Sequence, residues 1–254
     1  MLRPRIIPCL LVENGGLTKT VQFKPGKYVG DPLNAVRIFN EKQVDELIVL
    51  DISATMEGRE PDYDLIRALA AECRMPLCYG GGVRSEKQVS RIIASGVEKV
   101  ALSSAAVENP LLVTRAAREV GGQSVVVVLD VKKKRLSRKY EVFTHRGQKG
   151  TGRDPAELAR EMSELGAGEI VINSIDRDGT MKGYDLDLIT RVKNVITCPM
   201  TALGGAGSVD DIKTIFQHFG LLGIAAGSLF VFKGKYKAVL INYINDKDKL
   251  FTTQ

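Results

Sequence analysis

The chain repeats itself at half its length, and that feature constrains the fold more than any other. Ile6–Val12 matches Val125–Val131, Asp45–Ser53 matches Gly168–Asp176, and Tyr79–Ser85 matches Leu203–Ser208. Asp130 stands 119 residues after Leu11, and Gly204 stands 124 residues after Gly80. Each half alternates short apolar runs with longer segments of helical period. The runs predict strands at Arg5–Val12, Glu46–Asp51, Pro76–Tyr79, Lys99–Leu102, Ser124–Asp130, Glu169–Asn173, Pro199–Leu203 and Gly223–Ala226. The period predicts helices at Pro32–Lys42, Tyr63–Cys73, Glu86–Ser95, Pro110–Val120, Pro155–Leu165, Leu186–Lys193, Asp210–Phe219 and Tyr236–Ile244. Eight strands, each followed by one helix, are the pattern of a (β/α)8 barrel. The strands are nearly continuous in apolar residues, as parallel strands covered on both faces should be. The 254 residues fit one such barrel spanning 1–254, with half-barrels at about 1–120 and 121–254. A doubly wound open sheet is the competing architecture.

A half-length repeat implies approximate two-fold symmetry, so the features of a site should occur twice. Gly80-Gly81-Gly82 follows the third strand and Gly204-Gly205-Ala206-Gly207 the seventh, each with a helix starting a few residues on. Glycines there permit tight turns and bring backbone N–H groups towards an anion, and a helix N-terminus favours negative charge. Ser103-Ser104 and Ala226-Gly227-Ser228, after strands four and eight, can complete the two cradles. Two cradles across one mouth suggest a substrate with a phosphate at each end.

Asp130 falls at the tip of the fifth strand, where barrel enzymes carry catalytic groups, and suits a general acid or base. Symmetry calls for a second carboxylate at position 11, but that position holds Leu11, which cannot transfer a proton. Asp51, Asp176 and Asp178 could orient sugar hydroxyls or loop backbone. Two long segments after the first strand of each half, Glu13–Gly30 and Lys132–Gly152, should rise from the mouth; the second reads as a hairpin.

The net charge is +6, from 36 basic and 30 acidic residues, and much of the excess lies in Lys132–Arg135 and Arg138-Lys139. There is no Trp, and aromatics are not interleaved with these cations, so a basic mouth for an anionic substrate fits better than nucleic acid. Cys9, Cys73, Cys78 and Cys198 form no CxxC pair and have no histidine at ligand spacing, so they read as reduced thiols rather than a metal or disulfide set. The first residues, Met1-Leu2-Arg3-Pro4-Arg5, carry no cleavage pattern, and no run nears the ~20 apolar residues of a membrane span. A cytoplasmic protein without membrane attachment is the expectation.

Several of these stretches closely resemble the cyclase subunit of imidazole glycerol phosphate synthase. They are Arg5–Leu10, Asp45–Asp51, Gly80–Gly82, Ser104–Pro110, Gly166–Ile170, Asp176–Thr180 with Gly183–Asp185, and Gly204–Gly207. The resemblance runs along nearly the whole chain. It implies a lyase/cyclase of histidine biosynthesis acting on a two-phosphate ribulosyl-carboxamide nucleotide. It further implies a glutaminase subunit on the N-terminal face, forming a heterodimer, and ammonia passing through the barrel. No cofactor or metal is implied. By this resemblance Asp130 is one of an acid/base pair whose other member is replaced by Leu11. Arg5, Glu46, Lys99 and Glu169 are the ammonia gate, and Lys19 is the loop lysine that closes over substrate. Gly82, Ser103, Ser104, Asp178, Gly179, Gly204, Gly205, Ala226 and Gly227 bind substrate and its phosphates. Departures from the family pattern cluster at the mouth, at Leu11, Ser103, Asn173 and Leu203. That combination resembles divergent paralogues found with surface-polysaccharide genes, which implies an alternative role. There the barrel activates a glutaminase and passes ammonia to an amidotransferase making an acetamidino sugar.

Overall fold

The computed structural model describes residues 4–134 and 137–244. Met1–Arg3 and Arg135, which entered the reading of the N-terminus and of the basic segment, lie outside them. Eight parallel strands close a barrel: β1 (Arg5–Glu13), β2 (Leu47–Asp51), β3 (Leu77–Gly80), β4 (Lys99–Leu102), β5 (Val125–Lys133), β6 (Glu169–Ser174), β7 (Met200–Leu203) and β8 (Gly223–Ala226). Each strand pairs in parallel with the next, and β8 pairs with β1, so the ring has no edge. Among the described residues, seven helices of eight or more residues cover it: α1 (Pro32–Glu41), α2 (Tyr63–Glu72), α3 (Glu86–Ala94), α4 (Leu111–Val120), α5 (Pro155–Glu164), α6 (Leu186–Lys193) and α7 (Val209–Phe219). Their starts are written locally. Asp31, Asp62, Asp154 and Asp185 cap α1, α2, α5 and α6 through side-chain oxygens that accept first-turn N–H groups.

Alternation along each strand divides the core in two. Ile6, Leu10, Val49, Tyr79, Val100, Val127 and Ile170 point out towards the helices. Ile7, Cys9, Ile48, Cys78, Ala101, Val126, Val128, Val171 and Ala225 fill the barrel interior, with Leu11, Leu50 and Leu203 packed above them. Burial pushes the Cys9 thiol up to about 12, so the interior thiols are apolar packing rather than nucleophiles.

One expectation fails. Tyr236–Ile244 is not a helix. A short helix, Ser228–Val231, follows β8, and the chain then forms a small hairpin, Phe232–Lys233 with Ala238–Val239. Gly234 (φ 73°) and Lys237 (φ 48°) turn it. Val239, Ile241 and Asn242 are weak helix formers, and the backbone finds other partners. Leu240 and Asn242 donate to the Val231 and Phe230 carbonyls, and the Tyr243 hydroxyl donates to that of Ile6. The first long segment forms a hairpin of its own, hairpin one. Gly16–Lys19 folds back on the end of β1, and Lys27–Gly30 pairs with it in turn. The second is a hairpin as read, with β5 continuing into Tyr140–Thr144. Both hairpins rise over the C-terminal mouth.

Candidate functional site

At the barrel floor, four charged side chains form a closed ring. The Arg5 guanidinium pairs with Glu46, and with Glu169 at 2.8 Å; the Lys99 ammonium reaches Glu46 at 2.8 Å and Glu169 at 2.9 Å. The Thr201 hydroxyl donates to Glu169 as well, at 2.5 Å. Burial opposes ionisation of Glu169, but Arg5 and Lys99 outweigh it and hold the carboxyl below its ordinary range. All four residues named from sequence therefore meet in one layer.

The mouth is a cavity of about 1040 Å³ including its opening to solvent. Its wall is divided. Leu203, Leu11 and Leu50, from β7, β1 and β2, make an apolar arc; Ser103, Asp130 and Asn173, at the ends of β4, β5 and β6, make a polar arc. Parallel register sets Asn173 beside both Asp130 and Leu203, and Leu11 beside Leu50. The Asn173 amide donates to Asp130 at 2.8 Å. Desolvation raises the Asp130 carboxyl to about 7, the Asn173 and Ser103 hydrogen bonds oppose this, and the negative charge of Asp178 adds to it. An acid that titrates near neutrality can give and take a proton. Opposite it stands leucine.

Hairpin one lies across the mouth and brings in Lys19. The buried ammonium donates to Asp178 at 2.8 Å and to the Thr20 carbonyl at 2.9 Å; Thr20 also donates to Asp178, at 2.9 Å. Gln22 donates through its backbone to the Asp178 carbonyl and through its side chain to that of Asp176. The hairpin thus covers the second cradle. A Cβ on Gly227 would lie 2.9 Å from the Lys19 Cε, and one on Gly179 2.4 Å from the Thr20 carbonyl oxygen.

Of the residues named from sequence, Lys19, Gly82, Ser103, Ser104, Asp130, Asp178 and Gly227 share the cavity wall with Leu11. Gly179, Gly204, Gly205 and Ala226 do not. Gly179 packs under hairpin one, and the Ala226 side chain faces the outer core. Gly204 and Gly205 form the turn behind the cradle. Gly81 and Gly205 are symmetric, both at φ 117° and both pressed against a neighbouring carbonyl, of Asp51 and of Gly183. No side chain fits there.

The helix starts behave differently from expectation. The α3 and α7 N-termini are occupied by the chain's own capping boxes. Arg84 and Ser85 N–H donate to Gln88, and Gly207 and Ser208 N–H donate to Asp211. A phosphate would therefore use the glycine turns and the segments after β4 and β8. Asp51 and Asp176 take the loop-backbone role of their two alternatives. Asp51 accepts from Ser53 and Ala54, and Asp176 from the Lys133 N–H. Arg146, Thr20 and Phe23 line the mouth and were missed in the sequence. No local signal marked Arg146: the repeat offsets do not pair it with Lys19, and only the docking of the second hairpin brings it to the mouth.

Similarity to known proteins runs along the chain. The family model "Histidine biosynthesis protein" matches residues 5–237. A "Putative imidazole glycerol phosphate synthase subunit HisF" of Leptospira interrogans is 59% identical over 249 residues, 98% of each chain. An "Imidazole glycerol phosphate synthase subunit HisF" of Lactococcus lactis is 44% identical over 217 residues, covering 85% of this chain and 84% of the relative. Among the described residues no helix is long and apolar enough to cross a membrane. The chain belongs to the histidine biosynthesis protein family.

Proposed function

We propose that this chain is a cytoplasmic barrel subunit of the imidazole glycerol phosphate synthase type, which receives ammonia from a glutaminase subunit and uses it at the mouth. One observation carries the reading. A charged ring at the floor opens onto an apolar interior that leads to Asp130. Neutral ammonia can cross such an interior, whereas ammonium would pay a large desolvation cost. The glutaminase docks at the floor as a heterodimer, and the two half-barrels, about 1–120 and 121–254, each supply one phosphate cradle. Gly82, Ser103 and Ser104 hold one phosphate of a two-phosphate substrate. Gly227 and the segment after β8 hold the other under Lys19, which Asp178 anchors, with Gly179, Gly204, Gly205 and Ala226 shaping the turns behind them. Asp130 is the acid/base, with no cofactor or metal in the step.

Leu11 favours a second reading. With Leu50 and Leu203 it removes the opposing proton-transfer group, so the cyclisation is slow and the barrel serves as a conduit. It then activates the glutaminase and hands ammonia to an amidotransferase that makes an acetamidino sugar of a surface polysaccharide. The test is cyclisation of the ribulosyl-carboxamide nucleotide with free ammonium, in the wild type and in Leu11→Asp. We expect slow wild-type turnover and a gain of about 10²-fold or more in Leu11→Asp. Wild-type turnover that the substitution does not improve would remove the conduit reading. No turnover in either would reject this nucleotide as substrate.

A further inference from the structure

We infer that Arg146 is the anion-binding cation of the first cradle, the counterpart of Lys19 at the second; the inference rests on the two-cradle reading above. The backbone supplies the first reason. His145, Arg146 and Gly147 have φ of 52°, 55° and 73°, three consecutive left-handed residues at the tip of hairpin two. Two of them carry side chains, in a backbone region that L residues enter only at a cost. Strain of that kind persists where a structure needs a side chain in one place. Here it turns Arg146 into the mouth, whose wall carries Gly82, Ser103 and Ser104 of the first cradle and Gly227 of the second.

Docking supplies the second reason. The His145 N–H donates to the Ser104 Oγ at 3.0 Å, which seats the tip on the first cradle. Hairpin one sits on the second cradle in the same way, through Thr20 and Gln22 to Asp178. The hairpins also touch each other, since a Cβ on Gly147 would lie 3.1 Å from the Phe23 ring.

Charge supplies the third. Each cation rests on a carboxylate: Lys19 on Asp178 at 2.8 Å, Arg146 on Glu13 at 2.6 Å. Glu13 ends β1, two residues beyond Leu11. An arriving phosphate offers the guanidinium two oxygens in a geometry that matches its fork, and can draw it from Glu13. The ligand class is a phosphate monoester, and Arg146 binds it only when hairpin two is seated.

Residue-resolved amide NMR of the full chain, titrated with inorganic phosphate, tests this. The Gly82 and Gly227 N–H signals report the two cradles separately. Arg146→Met should weaken phosphate binding at Gly82 by about tenfold or more and leave Gly227 near its wild-type midpoint. Arg146→Lys should recover part of the loss. Lys19→Met should show the reverse pattern. Glu13→Gln, which frees the guanidinium without removing it, should tighten binding at Gly82, and it decides the matter if Arg146→Met does not fold. An unchanged Gly82 midpoint in Arg146→Met, an equal loss at both amides, or no tightening in Glu13→Gln would overturn the assignment while the cradles stand. If neither amide responds to phosphate in the wild type, the two-cradle reading itself falls, and Arg146 with it.

Discussion

Asp130→Asn is expected to make the protein more stable at pH 8 while lowering turnover by about 10²- to 10⁴-fold. The stability effect follows from burial. The folded carboxyl titrates near 7, raised from 3.8, first by desolvation and then by Asp178, against the pull of Asn173 and Ser103. A group raised in the folded state contributes its stability fully below its unfolded value and loses it as the pH climbs through the folded value. The wild type should therefore lose stability between pH 4 and pH 8, by up to about 4 kcal/mol for roughly three pH units of difference. An amide at the same place does not ionise and keeps that stability. At about 2–4 °C per kcal/mol for a chain of this size, the variant should melt on the order of 10 °C above the wild type at pH 8, and close to it at pH 4. Thermal unfolding of both proteins at the two pH values checks this. Parallel pH dependences would show that Asp130 is solvated and ionised throughout, and would remove its case as an acid/base near neutrality.

The barrel was legible in the sequence because both of its signals are local and repeated. Alternation along the strands sorts Ile7, Cys9 and Leu11 inwards and Ile6, Leu10 and Val12 outwards, and the caps of α1, α2, α5 and α6 are single residues at predictable offsets. The floor ring came from resemblance, since nothing local in Arg5, Glu46, Lys99 and Glu169 says that they meet; strand register brings them together. Arg146 was hidden for a related reason. Its place in the mouth depends on three left-handed residues and on where hairpin two docks, neither of which shows in hydrophobic period. The failed helix at Tyr236–Ile244 has the opposite origin. The segment has a helical spacing of apolar residues, but Tyr243 and Leu240 are held by bonds to β1 and to the segment after β8, and tertiary partners override period. The capping boxes at Ser85 and Ser208 were readable as helix starts, yet their partners Gln88 and Asp211 take up N–H groups that a glycine-rich turn suggests are waiting for phosphate.

Glu169→Gln should be the most damaging single change at the floor. Glu169 is 4% exposed and accepts from Arg5, Lys99 and Thr201. Removing its charge leaves Arg5 and Lys99 to share Glu46 alone, and breaking a buried pair in this way costs about 3–5 kcal/mol. The Arg5 end of the ring is partly solvated, with its side chain 35% exposed, so the lower end of that range applies. A fall in melting temperature of about 6–12 °C at pH 7 is the expected result. The penalty fades on acidification. The Glu169 carboxyl is held below its ordinary range, so its stabilisation is present at neutral pH and lost as the pH falls through the folded value. The gap between the two proteins should therefore narrow in acid, the opposite of the trend at Asp130. The same variant separates support from transport. If the ring only braces the floor, turnover with free ammonium and turnover with glutamine through the glutaminase should fall together. If it meters ammonia into the barrel, the glutamine-dependent rate should fall further, because ammonium supplied at the mouth bypasses the floor. Equal losses at a temperature where both proteins are folded would assign the ring to stability alone.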